Sequence, residues 1–461
     1  MKDIFCIFTV RKEIFIMAKV KQTKHSFKYW QWRVIICSMI GYAMFYFVRK
    51  NFSFAIPLIQ EQYPDITKAQ FGAIISAGGI IYGISKLING VIGDRTNARW
   101  HLVLGLGICV VVNFLFGWTD KLTTLITGAQ GGPDFIGGFV TIMSVLYIIN
   151  QIFQGCGFAP CNHLMVSWVP PHELATKMSI WNTSHSVGAF VAAVICGYLT
   201  SWQLCFWVPA CISLFGVFFI IVTLRDTPKS VGLPELPKVE GELDESKGKD
   251  KKEWRKFLLH KVFLNPVIWI LALTDLFVYV VRFAILDWGP SMLQDMGLSQ
   301  ALSGWTVAIF EVAGCLGMIA AGYISDKLFK SRSQRVCAIE MVLVALCLVA
   351  LHYIQDMHTP VLFLAVLALA GFFLYGPQAL LGVIASNEVS KKAASSAVGI
   401  IGFMSYFSTL ITGYPLGKFA DTYGWHPIFI LMAGVSILGF LLILTQWNLK
   451  DRSRNVVTNE E

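Results

Sequence analysis

About twelve stretches of this chain are each apolar enough to cross a bilayer, near 34–56, 70–92, 101–118, 138–162, 177–200, 203–224, 264–289, 301–324, 336–354, 360–384, 394–416 and 426–447. A spanning helix needs roughly 20 such residues. In hydrocarbon no water satisfies a backbone N–H or C=O, so each stretch must bond within itself as a helix. Of the 461 residues, 55% are hydrophobic and 14% charged, with a mean hydropathy of +0.62. A soluble chain carries about 25% charged residues, so twelve such stretches weigh against a soluble helical protein. Gly72, Gly78, Gly79, Gly83, Pro160 and Pro377 interrupt the spans, as membrane helices tolerate. The expected fold class is an all-α membrane protein of twelve transmembrane helices in two pseudo-symmetric six-helix halves.

The net charge of +9 is unevenly spread. Lys19, Lys21, Lys24, Lys28 and Arg33 precede the first span, and Arg95 and Arg99 follow the second. The bases of 247–261 precede the seventh; Lys327, Lys330, Arg332 and Arg335 follow the eighth; Lys450, Arg452 and Arg454 follow the twelfth. Alternate connections hold only Lys68, Lys121 and Lys418. By the positive-inside rule both termini are cytoplasmic. The basic excess reads as topology, and no nucleic-acid partner is expected. The eleven cysteines show no zinc or redox spacing, and no metal or cofactor is expected. The run Ile4–Val10 is cut by Arg11-Lys12-Glu13, too short for a signal peptide. Met17 opens a conventional basic leader and is an alternative start.

Two motifs recur at nearly one offset. Tyr46-Phe-Val-Arg49-Lys50 and Tyr279-Val-Val-Arg282-Phe283 place arginines 233 residues apart, and Gly90-Val-Ile-Gly-Asp94-Arg95 returns as Gly322-Tyr-Ile-Ser-Asp326-Lys327 after 232. A third echo, Gly157-Phe-Ala-Pro160 and Leu374-Tyr-Gly-Pro377, falls at 217 because the loop 119–137 is longer than its counterpart. A shared offset implies a duplicated architecture. Hydrophobicity collapses over 225–263, which holds ten Lys/Arg, eight Asp/Glu and Pro228, Pro234 and Pro237. The organisation is therefore a cytoplasmic segment 1–33, a six-helix half 34–224, a cytoplasmic linker 225–263, a second half 264–447 and a tail 448–461. The basic end of the linker, from Lys251, has the pattern of a surface helix.

A charge at mid-bilayer costs about 2.5–3.5 kcal/mol on the insertion scale, so such residues face a cavity. Arg49, Lys50, Lys86, His185, Asp275, Arg282 and Glu311 all fall inside spans. Tyr42, Tyr46 and Arg49 share a helix face by spacing, as do Tyr82 and Lys86, and Tyr279 and Arg282. Only Asp275 and Glu311 read as internal acids, which leaves basic charge in excess. Arginine stays ionised and grips phosphate oxygens bidentately, whereas lysine acts as a point charge. The pattern asks for an anion. The Gly-x-x-x-Asp-Arg/Lys repeat is placed at helix ends, where Gly90 and Gly322 permit close approach. Asp94 and Asp326 can cap or pair with neighbouring helix ends and cations there. The repeat resembles the signature of the major facilitator superfamily, which implies a gating role for Gly90, Asp94, Arg95, Gly322, Asp326 and Lys327.

These residues resemble the organophosphate:phosphate antiporters of the major facilitator superfamily, over about Lys28 to Asp451. The markers are Gly41-Tyr-Ala, Phe-Val-Arg49-Lys50-Asn51-Phe52, Tyr82-Gly-Ile-Ser-Lys86, Trp181-Asn-Thr-Ser-His185, Tyr279-Val-Val-Arg282, Leu286-Asp287-Trp288, Glu311 and Tyr375-Gly-Pro377. The resemblance implies that Arg49 and Arg282 hold phosphate, with Lys86 and His185. It implies contact or coupling roles for Lys50, Tyr42, Tyr46, Tyr82, Tyr279, Glu311, Tyr375 and Tyr406. Asp275 departs from the family, standing seven residues before Arg282 on roughly the same face where glycerol-3-phosphate carriers are neutral; its expected role is to neutralise Arg282 in part when the site is empty, or to accept a sugar hydroxyl. Glu173-Leu-Ala replaces the family's Glu-Arg-Gly loop, and neutral Thr409 and Thr412 stand where hexose-phosphate permeases carry an Asp and a Lys. The latter is similar to the hexose-phosphate sensor and its transporting relatives.

The expected function is exchange of a sugar phosphate, glucose 6-phosphate in particular, for inorganic phosphate by alternating access. The alternative is a membrane sensor that binds the same ligand and signals to a partner. No phosphatase nucleophile or triad is found, so no enzyme is expected. The resemblance implies a monomer, and the chain is expected in a bacterial inner membrane.

Overall fold

The computed structural model describes residues 26–93, 96–234, 256, 259–330, 332–355, 360–389 and 394–449. Its first half comprises α1 (Phe27–Gln62), α2 (Lys68–Gly93), α3 (Ala98–Phe116), α4 (Thr119–Thr127), α5 (Gly132–Gln154), α6 (Phe158–Trp168), α7 (Pro171–Gly197) and α8 (Trp202–Thr223). The second comprises α9 (Pro266–Asp295), α10 (Gln300–Lys327), α11 (Ser333–Ile354), α12 (Pro360–Glu388), α13 (Ala394–Phe407), α14 (Thr409–Thr412), α15 (Tyr414–Tyr423) and α16 (His426–Leu444). Among the described residues, eleven segments are long and apolar enough to cross a membrane. The 26-residue α2, between the first and second of them, makes the twelfth crossing.

Several starts are chemically marked. Ser26, Asn97, Ser201, Asn265 and Ser299 each accept a hydrogen bond from a first-turn N–H, which satisfies a donor the helix itself leaves unpaired. Outward-pointing Phe215, Leu316, Ile319 and Val361 are exposed by more than half, a surface suited to lipid.

The sequence places the boundaries less well than the helices. The stretch 119–137 contains α4, and the fourth crossing divides at Gly155–Gly157 into α5 and α6. The eleventh crossing is three pieces and runs on to Tyr423. The seventh extends to Asp295, past the expected 289. Most of the proposed surface helix from Lys251 lies outside the described residues. The described parts of the linker hold a turn at Pro228–Val231 and another at Leu259–Phe263.

The halves meet through α2 against α15, α7 against α10, and α1 against α9. At the end remote from the chain termini these seams are tightly bonded. Asp421 accepts from the backbone N–H groups of Lys68 and Ala69 at 3.0 and 2.7 Å. Lys68 pairs with Asp295 at 3.1 Å, and Gln300 Nε2 donates to Phe54 O at 3.2 Å. A Cβ on Gly304 would stand 2.6 Å from Ala193 O and 2.8 Å from Gly197 Cα, so glycine allows α7 and α10 to touch by backbone. The bundle is closed at this end.

Gly304→Val should therefore weaken the closed seam by about 1–3 kcal/mol of overpacking. In a Ser303→Cys background, labelling by a membrane-impermeant maleimide should rise by roughly tenfold. Unchanged labelling would contradict the seam.

Candidate functional site

Arg49 owes its position to a break in its own helix. Val48 has non-helical angles (φ −94°, ψ 16°), and its carbonyl is taken up from outside the helix. Asn150 Nδ2 donates to Val48 O at 2.9 Å and Asn113 Nδ2 at 3.3 Å, while Gln154 Nε2 reaches Phe45 O at 3.1 Å. Asn51 bridges Asn113 Oδ1 at 2.8 Å and Cys205 O at 3.0 Å. A buried carbonyl without a donor is costly, and these amides from α1, α3 and α5 supply the donors. The sequence reading named Asn51 only as a motif residue and missed Asn113, Asn150 and Gln154. Their signal was present, since each is an amide side chain inside an apolar span.

Beyond the kink, the Arg49 guanidinium lies 3.9 Å from the Tyr82 ring centroid and 5.6 Å from that of Tyr46. Tyr82 and Tyr406 meet edge-on at 4.8 Å, and Tyr406 lies 6.4 Å from Tyr279. Lys86 sits 4.6 Å from Phe158 and 5.6 Å from Tyr406. Across the bundle, Arg282 faces Tyr375 at 4.8 Å and Tyr279 at 5.5 Å, and its Nη2 stands 3.7 Å from Glu311 Oε1. His185 stacks on Tyr46 at 5.9 Å and hydrogen-bonds Ser186 at 3.0 Å. Tyr42 packs on Trp181 at 4.9 Å and on Tyr46 at 5.6 Å. Arg49, Arg282, Lys86, His185, Tyr42, Tyr46, Tyr82, Tyr279, Glu311, Tyr375 and Tyr406 thus converge on one central region between the halves.

Lys50 points elsewhere. Its Nζ pairs with Asp287 Oδ1 at 2.8 Å, each side chain 14% exposed, and lies 5.4 Å from the Phe283 ring. This corrects the reckoning that only Asp275 and Glu311 are internal acids. Asp287, already within the expected span, joins them through its pairing with Lys50 of the opposite half, and Glu340 is also buried, packed against Gly376. Asp275 sits one side of the central cluster, where Ser405 donates to its Oδ2. Of the gating positions, Gly90 lies near the end of α2, and Asp94 and Arg95 lie outside the described residues. Gly322 lies in α10, with Asp326 and Lys327 exposed at the terminus end of the bundle.

Among the described residues, neither Arg49 nor Lys86 has a carboxylate partner, and Arg282 has only Glu311. The Nε of Arg282, both Glu311 oxygens and the Tyr375 hydroxyl are buried without a hydrogen-bond partner. Lys50 and Asp287 cancel, so the immediate shell keeps three cations against one carboxylate. That excess of two positive charges matches a phosphate monoester, which carries roughly −1.5 to −2 near pH 7. No group of three or more His, Cys, Asp or Glu suited to a metal occurs among the described residues.

Residues 38–413 match the family model described as Major Facilitator Superfamily. The chain is 32% identical over 446 residues to a protein of Chlamydia trachomatis named probable hexose phosphate transport protein, covering 93% of this chain and 94% of that one. It is 33% identical over 440 residues to the glycerol-3-phosphate transporter of Bacillus subtilis, covering 94% and 95%. Against the membrane sensor protein UhpC of Escherichia coli it is 30% identical over 428 residues, covering 91% and 92%. A crystal structure of a D-xylose-proton symporter shares the fold with a TM-score of 0.67 at 15% identity, covering 90% of this chain and 97% of that one.

Two predictions follow from the geometry. Asn150→Leu should strip Val48 O of its best donor, at about 1–3 kcal/mol, and lower the detergent-solubilised unfolding temperature together with phosphate affinity. Asp287→Asn should destabilise more, since removing one partner of a largely buried pair costs about 3–5 kcal/mol. The swap Lys50→Asp with Asp287→Lys should recover part of that loss in the same melt.

Proposed function

The chain belongs to the organophosphate:phosphate antiporter branch of the Major Facilitator Superfamily, a multi-pass membrane transporter and not an enzyme, and from that premise we propose that it exchanges a sugar phosphate for inorganic phosphate by alternating access. Glucose 6-phosphate is the expected ester. The observation that carries this reading is the unneutralised cation shell, with Arg49 contributed by one half and Arg282 by the other. Two guanidinium forks on opposite walls grip one tetrahedral anion and draw the walls together. Lys86 adds a point charge, and His185 a ring nitrogen.

Obligate exchange follows from electrostatics. Without an anion, closing the cavity around Arg49, Lys86 and Arg282 removes water from like charges, which opposes occlusion. Either phosphate or its ester relieves that repulsion, so the loaded carrier reorients and the empty one lags. Opening the remote end parts α1 from α9 and therefore breaks Lys50–Asp287. Domain boundaries at 225 and 263 make the linker a tether between two rocking bodies. The protein is assigned here to a bacterial inner membrane as a monomer, both termini cytoplasmic.

The similarity to a membrane sensor favours a second reading, in which the same site binds the ester and reports it to a partner. Phosphate self-exchange in proteoliposomes, with glucose 6-phosphate as competitor, separates the two: uptake means carrier, and binding without flux means receptor. For the carrier, Arg282→Lys should insert normally yet lower phosphate counterflow by roughly 100-fold, since charge-assisted hydrogen bonds contribute about 1.5–3 kcal/mol each. Near-normal counterflow would sink the two-arginine clamp.

A further inference from the structure

Asp275 is an acid near the cation cluster that the phosphate clamp leaves without a task. It lies on α9 seven residues before Arg282, with Tyr279 between them at the fourth position. These three share a helix face, and the helical rise puts the carboxyl about 10 Å from Arg282 toward the terminus end. Asp275 is 3% exposed, and among the described residues it has no cationic partner within ion-pair distance. Ser405 of α13 donates to Oδ2, while Oδ1 has no partner at all. The next residue on α13, Tyr406, reaches Lys86, Tyr82 and Tyr279. The Asp275–Ser405 pair is thus fastened to the central cluster through both helices that carry it.

The direction matters because the site is sealed on its other side. Beyond the arginines stand Lys50–Asp287 at 2.8 Å and Ser76 donating to Thr409 O at 2.9 Å. Those contacts bar that side to the organic body of an ester whose phosphate sits on Arg49 and Arg282, and Asp275 lies on the opposite, terminus side. A carboxylate with a vacant oxygen accepts hydroxyl donors and repels a second anion.

We propose that Asp275, oriented by Ser405, forms a hydroxyl-reading subsite that selects phosphate esters of neutral polyols over esters bearing a carboxylate. This rests on the phosphate-clamp reading above and adds the substrate class to it. A site built to hydrogen-bond a hydroxyl discriminates strongly against ligands that cannot supply one.

The test uses the full chain in proteoliposomes and in detergent, with glucose 6-phosphate and 3-phosphoglycerate as probes. The readout is the ratio of the two half-effect concentrations, taken both from inhibition of phosphate self-exchange and from ligand-induced thermal stabilisation. The unaltered protein should favour glucose 6-phosphate. Asp275→Asn should shift that ratio roughly tenfold or more toward 3-phosphoglycerate, the loss expected of one hydrogen bond to a charged acceptor. Ser405→Ala should shift it the same way by less, and serves if Asp275→Asn fails to fold. A ratio unchanged within about twofold in the folded variants overturns the subsite, since one lost charged bond alone predicts more. A preference for 3-phosphoglycerate in the unaltered protein overturns it too. Absence of phosphate self-exchange in the unaltered protein would instead strike the exchange reading, and the thermal ratio would still decide the subsite.

Discussion

Everything in this bundle answers to the difficulty of holding arginine inside a membrane. A guanidinium does not discharge by losing its proton at physiological pH, so the protein must surround it. Here the surroundings are chiefly the faces of aromatic rings. Tyr82 and Tyr46 stand over Arg49, and Tyr375 and Tyr279 over Arg282. Ring faces attract a cation without neutralising it. A carboxylate at the same place would satisfy the arginine for good and leave nothing for a ligand to do. Glu311 at 3.7 Å from Arg282 is a partial answer, long enough to yield.

The same logic separates neighbours in sequence. Arg49 and Lys50 are adjacent, yet one faces rings and the other an acid of the opposite half. The kink at Val48 sets this division, and the amides of α3 and α5 hold the kink. A polar network far from any ligand thereby decides which of two bases meets it. Buried amides of this kind are expensive when half-satisfied, which makes Asn113, Asn150 and Gln154 poor candidates for neutral substitution.

The fold was largely legible because hydrocarbon admits so few structures. Apolar length gave the crossings, and the duplicated Arg49 and Arg282 gave the pairing of halves. The converging site residues were legible for the same reason, since a charge inside a span has few places to point. What escaped was whatever depends on tertiary contact. Asp287 was not counted among the internal acids, and only the facing Lys50 shows it to be one. The amides at the Val48 kink carry no periodic signal. Of the breaks in the eleventh crossing, Gly413 and Pro415 mark the second in its own sequence, whereas the first, at Ser408, has no such mark.

Those breaks have a consequence for speed. Ser76 of α2 donates to Thr409 O and accepts from Tyr414 N at 3.0 Å, so one hydroxyl mends both sides of the gap between α14 and α15. Thr409 O keeps its bond from Gly413 N at 2.9 Å, so parting the halves at that end would leave the Tyr414 N–H to find water or to re-form a helical turn. In the proposed exchange cycle, reorientation would therefore include a backbone repair step whose activation barrier is indifferent to the cargo. On that cycle, turnover would have a ceiling that better ligand recognition cannot raise.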